Sequence, residues 1–208
     1  YPKPLKHECG CKVSWRTYKT AVEAEEAARI AARFERSKRI KDTWLSKFEE
    51  CYEYAMPQKE SFYDQAQGQS RTDKIFDETA VVGVQEFASR LQAGLVPNYA
   101  RWAQLVSGSE VPPDERQDVD GALEEVTNYV FEILQNSNFS QEIHESFLDL
   151  AVGTGCLQIS EGDALNPVMF TAVPLTQLTL DVGPDDKIDH IFRERQLRIS
   201  NIKVAYPK

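Results

Sequence analysis

His144 and Glu145 stand in the order that opens a zinc-protease helix, where two histidines one turn apart hold the metal and the glutamate acts as base. The position that must supply the second imidazole is Leu148. One imidazole cannot hold zinc in that geometry, so the pair reads as the polar flank of an amphipathic helix. Gly153-Thr154-Gly155 has the opening of a dinucleotide fingerprint, but it follows a helical pattern and enters a β-prone run. That is the reverse of the context that places a helix terminus on a pyrophosphate, so it reads as a cap and turn. Residues 68–74 fail as a phosphate loop because Asp73 precedes Lys74, where a glycine is required, and a carboxylate there would repel phosphate. His7, Cys9 and Cys11 bring three soft ligands within five residues. Their alternate spacing is unlike the usual two-residue knuckle, and no second cysteine–histidine pair lies nearby. His7, His144 and His190 stand far apart, so no serine or cysteine finds a base from recognisable context. Paired carboxylates fall on faces expected to be solvated. Neither catalytic residues, nor a cofactor, nor a metal is expected.

The background supports a folded, non-catalytic chain. Hydrophobic residues at 41% and charged residues at 27% of 208 lie close to globular averages, and the length suffices for one sizeable core or two modest ones. No apolar run approaches the roughly 18 residues of a membrane span, and the charged opening lacks the apolar stretch of a secretory signal; the expectation is a soluble chain, cytosolic when made. Cys9, Cys11, Cys51 and Cys156 are too few and scattered for a disulfide framework and are expected as free thiols. A net charge of -9 argues against broad gripping of duplex nucleic acid, which needs many Lys and Arg. Lys3, Lys6, Lys12, Arg16 and Lys19 against Glu8 nevertheless form a basic arm on an acidic body.

A long helical stretch is predicted over residues 21–56, capped by Thr20 with Glu23 three residues later and stopped by Pro57. Its polar gap at 35–39 is the expected meeting point of two helices. Residues 57–71 read as a loop and 73–95 as a second helix stopped by Pro97, with a short strand expected over 101–106. The acidic segment 110–120, with Asp114, Glu115 and Asp118, suits the positive end of a third helix carrying Leu123, Val126, Val130 and Leu134. Asn138 and Ser140 match a glycosylation sequon formally but read as helix caps. The fourth helix they introduce carries Ile143, Phe147, Leu148 and Ala151 and should end at Gly153 as a left-handed cap, leaving two antiparallel helices. From residue 156 the pattern becomes β: runs at 156–160, 168–173, 177–182 and 188–197, the last two joined as a hairpin by Gly183-Pro184-Asp185-Asp186. Leu178, Leu180 and Val182 give the clearest alternation. The fold class is therefore α+β, packed as helices with a small antiparallel β region.

Four blocks then carry a resemblance: Glu50-Cys51-Tyr52-Glu53-Tyr54-Ala55-Met56-Pro57; Glu60-Ser61-Phe62-Tyr63; Arg71-Thr72-Asp73-Lys74-Ile75-Phe76-Asp77; and Gln85-Glu86-Phe87-Ala88-Ser89-Arg90-Leu91-Gln92-Ala93-Gly94-Leu95. In order and spacing they resemble the portal proteins of podoviruses, the head-to-tail connectors of short-tailed bacteriophages. Gln135-Asn136-Ser137-Asn138-Phe139, the run Leu148-Asp149-Leu150-Ala151-Val152-Gly153-Thr154-Gly155, and Phe170-Thr171-Ala172-Val173-Pro174-Leu175 extend the resemblance, which covers roughly 32–208. On it the chain divides into an arm (1–31), which the resemblance does not reach, a helical wing region (32–155) and a β-rich wing region (156–208) that continues past Lys208.

The resemblance implies a structural virion protein, the amino-terminal part of a ring of identical subunits, commonly twelve, at one capsid vertex. Double-stranded DNA would pass through its channel during packaging and ejection without sequence-specific contact. Major capsid and scaffold proteins would meet the wing; terminase and the tail adaptor would dock on parts beyond this chain; no membrane is involved. The chain would sit in the host cytoplasm during assembly and then at the portal vertex of the virion. Family members are much longer, so channel-lining and terminase-contact residues are not expected here. An acidic chain suits a conduit, since like charge limits adhesion to sliding DNA.

Two other readings compete. Another head-completion or adaptor protein of the particle would share the acidic, helical, motif-free character. A small nucleic-acid-binding regulator would use the basic arm and the Cys9–Cys11 cluster. Arg71, Asp73 and Lys74 offer both charge signs within four residues and are the candidate subunit-interface residues, because a head-to-tail ring contact joins unlike patches. Alternatively they only solvate a loop and begin the second helix. Elemental analysis of the dialysed protein should find zinc well below one per chain, and ATP should not be turned over in the absence of terminase. One zinc per chain would overturn the ligand argument.

Overall fold

A computed structural model describes residues 15–59, 75–164 and 166–197. Five helices, α1 (Trp15–Asp42), α2 (Leu45–Ala55), α3 (Thr79–Leu95), α4 (Arg116–Asn136) and α5 (Phe139–Val152), precede four strands, β1 (Leu157–Glu161), β2 (Val168–Ala172), β3 (Leu178–Val182) and β4 (Ile188–Arg193). The strands form two separate antiparallel pairs, β1–β2 and β3–β4, so the class is α+β as expected. The chain divides into two compact units. One joins the part up to Trp44 to Thr179–Phe192, and the other holds Leu45–Leu178 and the chain from Arg193 onward.

In the first unit α1 is long because Ala, Glu and Arg, all good helix formers, fill it, and Arg39 and Lys41 suit its negative end. Thr20 lies inside this helix and does not cap it, and the expected break at 35–39 does not occur. Ser37 explains the continuity: its hydroxyl donates to the Arg33 carbonyl one turn back at 3.1 Å and to Asp181 Oδ1 at 2.9 Å. Ser37, in the middle of the polar gap, thus lies on the helix's contact face. The break comes at Thr43–Trp44, where Thr43 Oγ1 donates to the Ile40 carbonyl at 2.7 Å. The β3–β4 hairpin closes as predicted, with Gly183 N–H donating to the Lys187 carbonyl at 2.8 Å. Asp186 takes φ 55°, a left-handed value that Asp tolerates in turns. The alternation of β3 holds only in part: Leu178 is buried as expected, but Thr179 and Asp181 are buried as well and Val182 is exposed. A strand facing Arg33 and Ser37 must turn polar residues inward.

In the second unit α5 packs chiefly on α3 and, less closely, on α4, α2 and the β1–β2 pair. Ala88, Phe131, Phe147, Leu148, Phe170, Val173, Leu175 and Leu178 are buried in this core. Helix α3 begins at Thr79, later than predicted, because Asp77 accepts from both the N–H (2.9 Å) and the hydroxyl (2.7 Å) of Thr79. These bonds hold the Asp77 carboxyl below its ordinary range, Thr79 being the main cause. The strand expected over 101–106 does not form. Side chains of α4 take up its backbone instead: Leu105 N–H donates to Thr127 Oγ1 at 3.1 Å and Ser107 N–H to Asp120 Oδ1 at 2.7 Å.

Strand β2 is sandwiched edgewise. It pairs with β1 in the register Ile159↔Phe170, and its other edge is capped by α5 side chains. Asn138 Nδ2 donates to the Phe170 carbonyl (2.7 Å), Phe170 N–H donates to Asn138 Oδ1 (3.0 Å), and Ala172 N–H donates to Glu142 Oε2 (2.6 Å). Four residues of helix rise about 6 Å and two residues of strand about 6.6 Å. An i, i+4 pair on α5 therefore meets an i, i+2 pair on β2. Asn138 and Ser140 make no side-chain cap at α5; Ser140 Oγ instead accepts from Gln92 Nε2 (3.1 Å) and Asn98 Nδ2 (2.8 Å).

Gly153 ends α5 with φ −161°, so it is not the left-handed cap expected. Space is what requires glycine here: a Cβ at Gly153 would lie 3.2 Å from Leu175 Cδ2, and one at Gly155 would lie 2.6 Å from the Ser146 carbonyl oxygen. Gly155→Ala should therefore cost about 1–3 kcal/mol, because backbone must give way. Gly83→Ala in α3, where a Cβ meets nothing within 4 Å, should stabilise by about 0.5–1 kcal/mol. Urea midpoints of the two variants should move in opposite directions.

Candidate functional site

The polar chemistry of the second unit converges on Asp149. It lies in an apolar run of α5 and is fully buried, which for a carboxylate is tolerable only with donors nearby. Tyr52 of α2, itself 1% exposed, donates its hydroxyl to Asp149 Oδ1 at 2.5 Å. Lys59 Nζ reaches Asp149 Oδ2 at 3.4 Å, Glu145 Oε2 at 2.8 Å and the Glu145 carbonyl at 3.0 Å. Burial raises the Asp149 pKa, opposed by the Tyr52 hydrogen bond and the Lys59 charge. Burial also raises Tyr52 far above its ordinary value, so its proton stays in place to be donated.

In the first unit Arg33 of α1 bridges two carboxylates. Its Nε donates to Asp181 Oδ2 at 2.9 Å, and its Nη2 pairs with Asp189. Asp181 is held below its ordinary pKa by Ser37 first and Arg33 second, and Asp189 by Arg33. Phe34 meets Phe192 edge to face at 5.5 Å, and His190 stacks on Phe192 at 6.1 Å. Ligand atoms of Asp181, Asp189 and His190 lie within 4.8 Å of one another, the spacing of a metal site. The Arg33 guanidinium already supplies the positive charge there, bound to both carboxylates.

The remaining sites have structural partners. His144 Nδ1 lies 3.0 Å from Gln92 Oε1. Gln92 Nε2 donates to the Ser140 carbonyl at 3.0 Å, which orients the amide and makes His144 Nδ1 the donor. Glu145 pairs with Lys59, away from any second imidazole. Burial raises the Cys156 thiol, the opposite of nucleophilic activation. Trp102 packs edge-on to Phe131 at 5.4 Å and stacks on Phe139 at 6.2 Å, and Phe139 meets Phe170 at 5.0 Å. Trp102, Phe131 and Phe139 line an open cleft of about 290 Å³ together with Pro97 and Asn98. What these groups can do is hold elements together.

The interface candidates Arg71, Asp73 and Lys74, and His7, Cys9 and Cys11, lie outside the described residues. Tyr52, Lys59 and Asp149, and equally Arg33 and Asp181, were not singled out by motif. A usable signal was present for Asp149, since a carboxylate inside Phe147-Leu148-Asp149-Leu150-Ala151-Val152 can only be buried with partners. Tyr52 and Lys59 carry no such mark.

Tyr52→Phe should destabilise the protein by about 1–3 kcal/mol by leaving a buried acceptor unmet. The sign of its pH dependence follows from the raised Asp149 pKa. The folded state binds that proton more tightly than the unfolded one, so the group favours folding below the unfolded value of 3.8 and loses this as pH rises through the folded pKa. The variant raises that pKa further, so its deficit should shrink on acidification. Denaturation of both proteins at several pH values tests this; a deficit independent of pH would refute it.

The sequence profile of the family described as bacteriophage head to tail connecting protein matches residues 27–208. The probable portal protein of Bordetella phage BPP-1 is 22% identical over 191 residues, which is 89% of this chain and 34% of that protein. The chain thus spans about a third of the length of that relative. With the family profile matching from within α1 through the described strands to Lys208, the chain belongs to the bacteriophage head to tail connecting proteins.

Proposed function

We propose that this chain is the amino-terminal part of the portal, a structural virion protein that forms a ring of identical subunits, twelve in number, at one capsid vertex. The observation that carries the reading is the likeness to a probable portal protein over 89% of the chain, within a family match from 27 to 208. The ring is the conduit through which double-stranded DNA enters at packaging and leaves at ejection, as in podoviruses. Major capsid and scaffold proteins meet the wing, to which residues 32–155 contribute helices and 156–208 the β-rich part, while residues 1–31, whose later part begins helix α1, supply a basic arm. Terminase and the tail adaptor engage parts beyond this chain. The role is mechanical, with no catalysis by the chain itself; the ring assembles in the host cytoplasm.

Net charge supports the conduit, since a chain at -9 resists adhesion to DNA. A head-completion or adaptor role is the second reading, favoured by the same acidic, helical character. Electron microscopy of the full-length protein separates them: closed rings with a central channel are expected, and a persistent monomer would exclude the portal. Arg71, Asp73 and Lys74 are proposed to make polar pairs across subunits. Arg71→Glu should leave circular dichroism unchanged while ring formation at moderate salt, followed by light scattering, falls sharply. Rings formed at the unaltered rate would remove that residue from the interface.

A further inference from the structure

Helix α4 has an inward face, centred on Thr127 and Phe131, and a second apolar stripe that is exposed in its middle and half-buried at its ends. Val119, Ala122, Val126, Tyr129 and Ile133 follow the alternating three- and four-residue spacing of a coiled-coil seam. Residues 119, 126 and 133 are all β-branched, as that geometry prefers at one of its two core positions. Val126 is 48% exposed, Tyr129 62% and the neighbouring Val130 41%. Asp118, Glu125 and Glu132 each precede a seam residue and form an acidic row at seven-residue spacing. A seam of this kind asks for a helix whose apolar contacts are flanked by positive charge.

A second copy of α4 cannot be that helix, because antiparallel pairing would set acidic row against acidic row, and parallel pairing would set it against Leu123 and Val130. Helix α1 has the complementary chemistry. Between residues 29 and 41 it carries six Lys and Arg against Glu35 alone. Arg29 and Arg36 repeat the seven-residue spacing, and Ile40 on the same side is 63% exposed. Arg29 and Arg39 are exposed. A ring built head to tail needs two unlike patches on each subunit, and one acidic seam with one basic helix meets that requirement.

We propose that the α4 seam of one subunit receives α1 of the neighbouring copy as a helix–helix contact, the acidic row facing the arginines. This rests on the ring reading and deepens it. The test uses the full-length chain, with Glu125→Lys/Glu132→Lys as one variant and Arg29→Glu/Arg39→Glu as the other; Arg36 is left alone because it also lies 3.5 Å from Asp181. Each variant should keep its circular dichroism and associate roughly a hundredfold or more weakly in sedimentation, since like charges then face each other. Mixing the two should restore assembly, because each then offers the other a complementary contact. Normal assembly of the first variant would overturn the proposal and leave the ring reading standing. Loss of assembly by both without rescue on mixing would overturn α1 as the occupant. An unaltered chain that never associates would overturn the ring reading and this proposal together.

Discussion

Burying one carboxylate governs the second unit. Asp149 cannot enter an apolar interior unless donors come with it, and its donors come from outside α5. Tyr52 must therefore arrive from α2 and Lys59 from the chain just past it, which fixes where α2 ends against α5. Met56, at 1% exposure between those two partners, fills the apolar space this creates. Once α2 is held so close, Phe48 and Leu175 crowd the end of α5 and leave room at residue 153 for glycine.

The same logic settles the β region. A two-stranded hairpin is marginal alone and presents unpaired edges. Here α5 acts as a third strand, with Asn138 and Glu142 supplying the acceptors and the donor that β2 would otherwise seek in another chain. In the first unit α1 does comparable work with Arg33 and Ser37, but through the inward side chain of Asp181. The first sheet is thus completed at the β2 edge by polar side chains, and the second is held to its helix by a polar side-chain contact. An open strand edge would instead promote unlimited association.

Sequence reasoning succeeded where the signal was periodic. The helices containing residues 79–95, 116–136 and 139–152 and the four strands were legible from apolar spacing and from Pro and Gly punctuation. It failed where a polar residue's partner was distant in sequence. Ser37 looked like a gap, Asn138 like a cap, and Asp181 like the wet side of a strand; each is turned toward a partner at least 32 residues away. Gly153 looked like a conformational device and is a spatial one. Local rules weigh a polar residue against water, and these residues are satisfied by partners that the local sequence does not contain.

The two clusters also differ in what acid does to them, and this bears on how separately the units behave. Asp181 and Asp189 have lowered pKa values, so their contribution is present above the unfolded value of 3.8 and is lost as pH falls through the folded values. Asp149 runs the other way, favouring the folded state most when protonated. Acidification therefore weakens the α1–hairpin unit by removing charge from both of Arg33's partners, while it relieves the burial cost in the helical unit. Acid thus acts with opposite sign on the two carboxylate-centred networks, because one carboxylate is dominated by burial and the others by their donors.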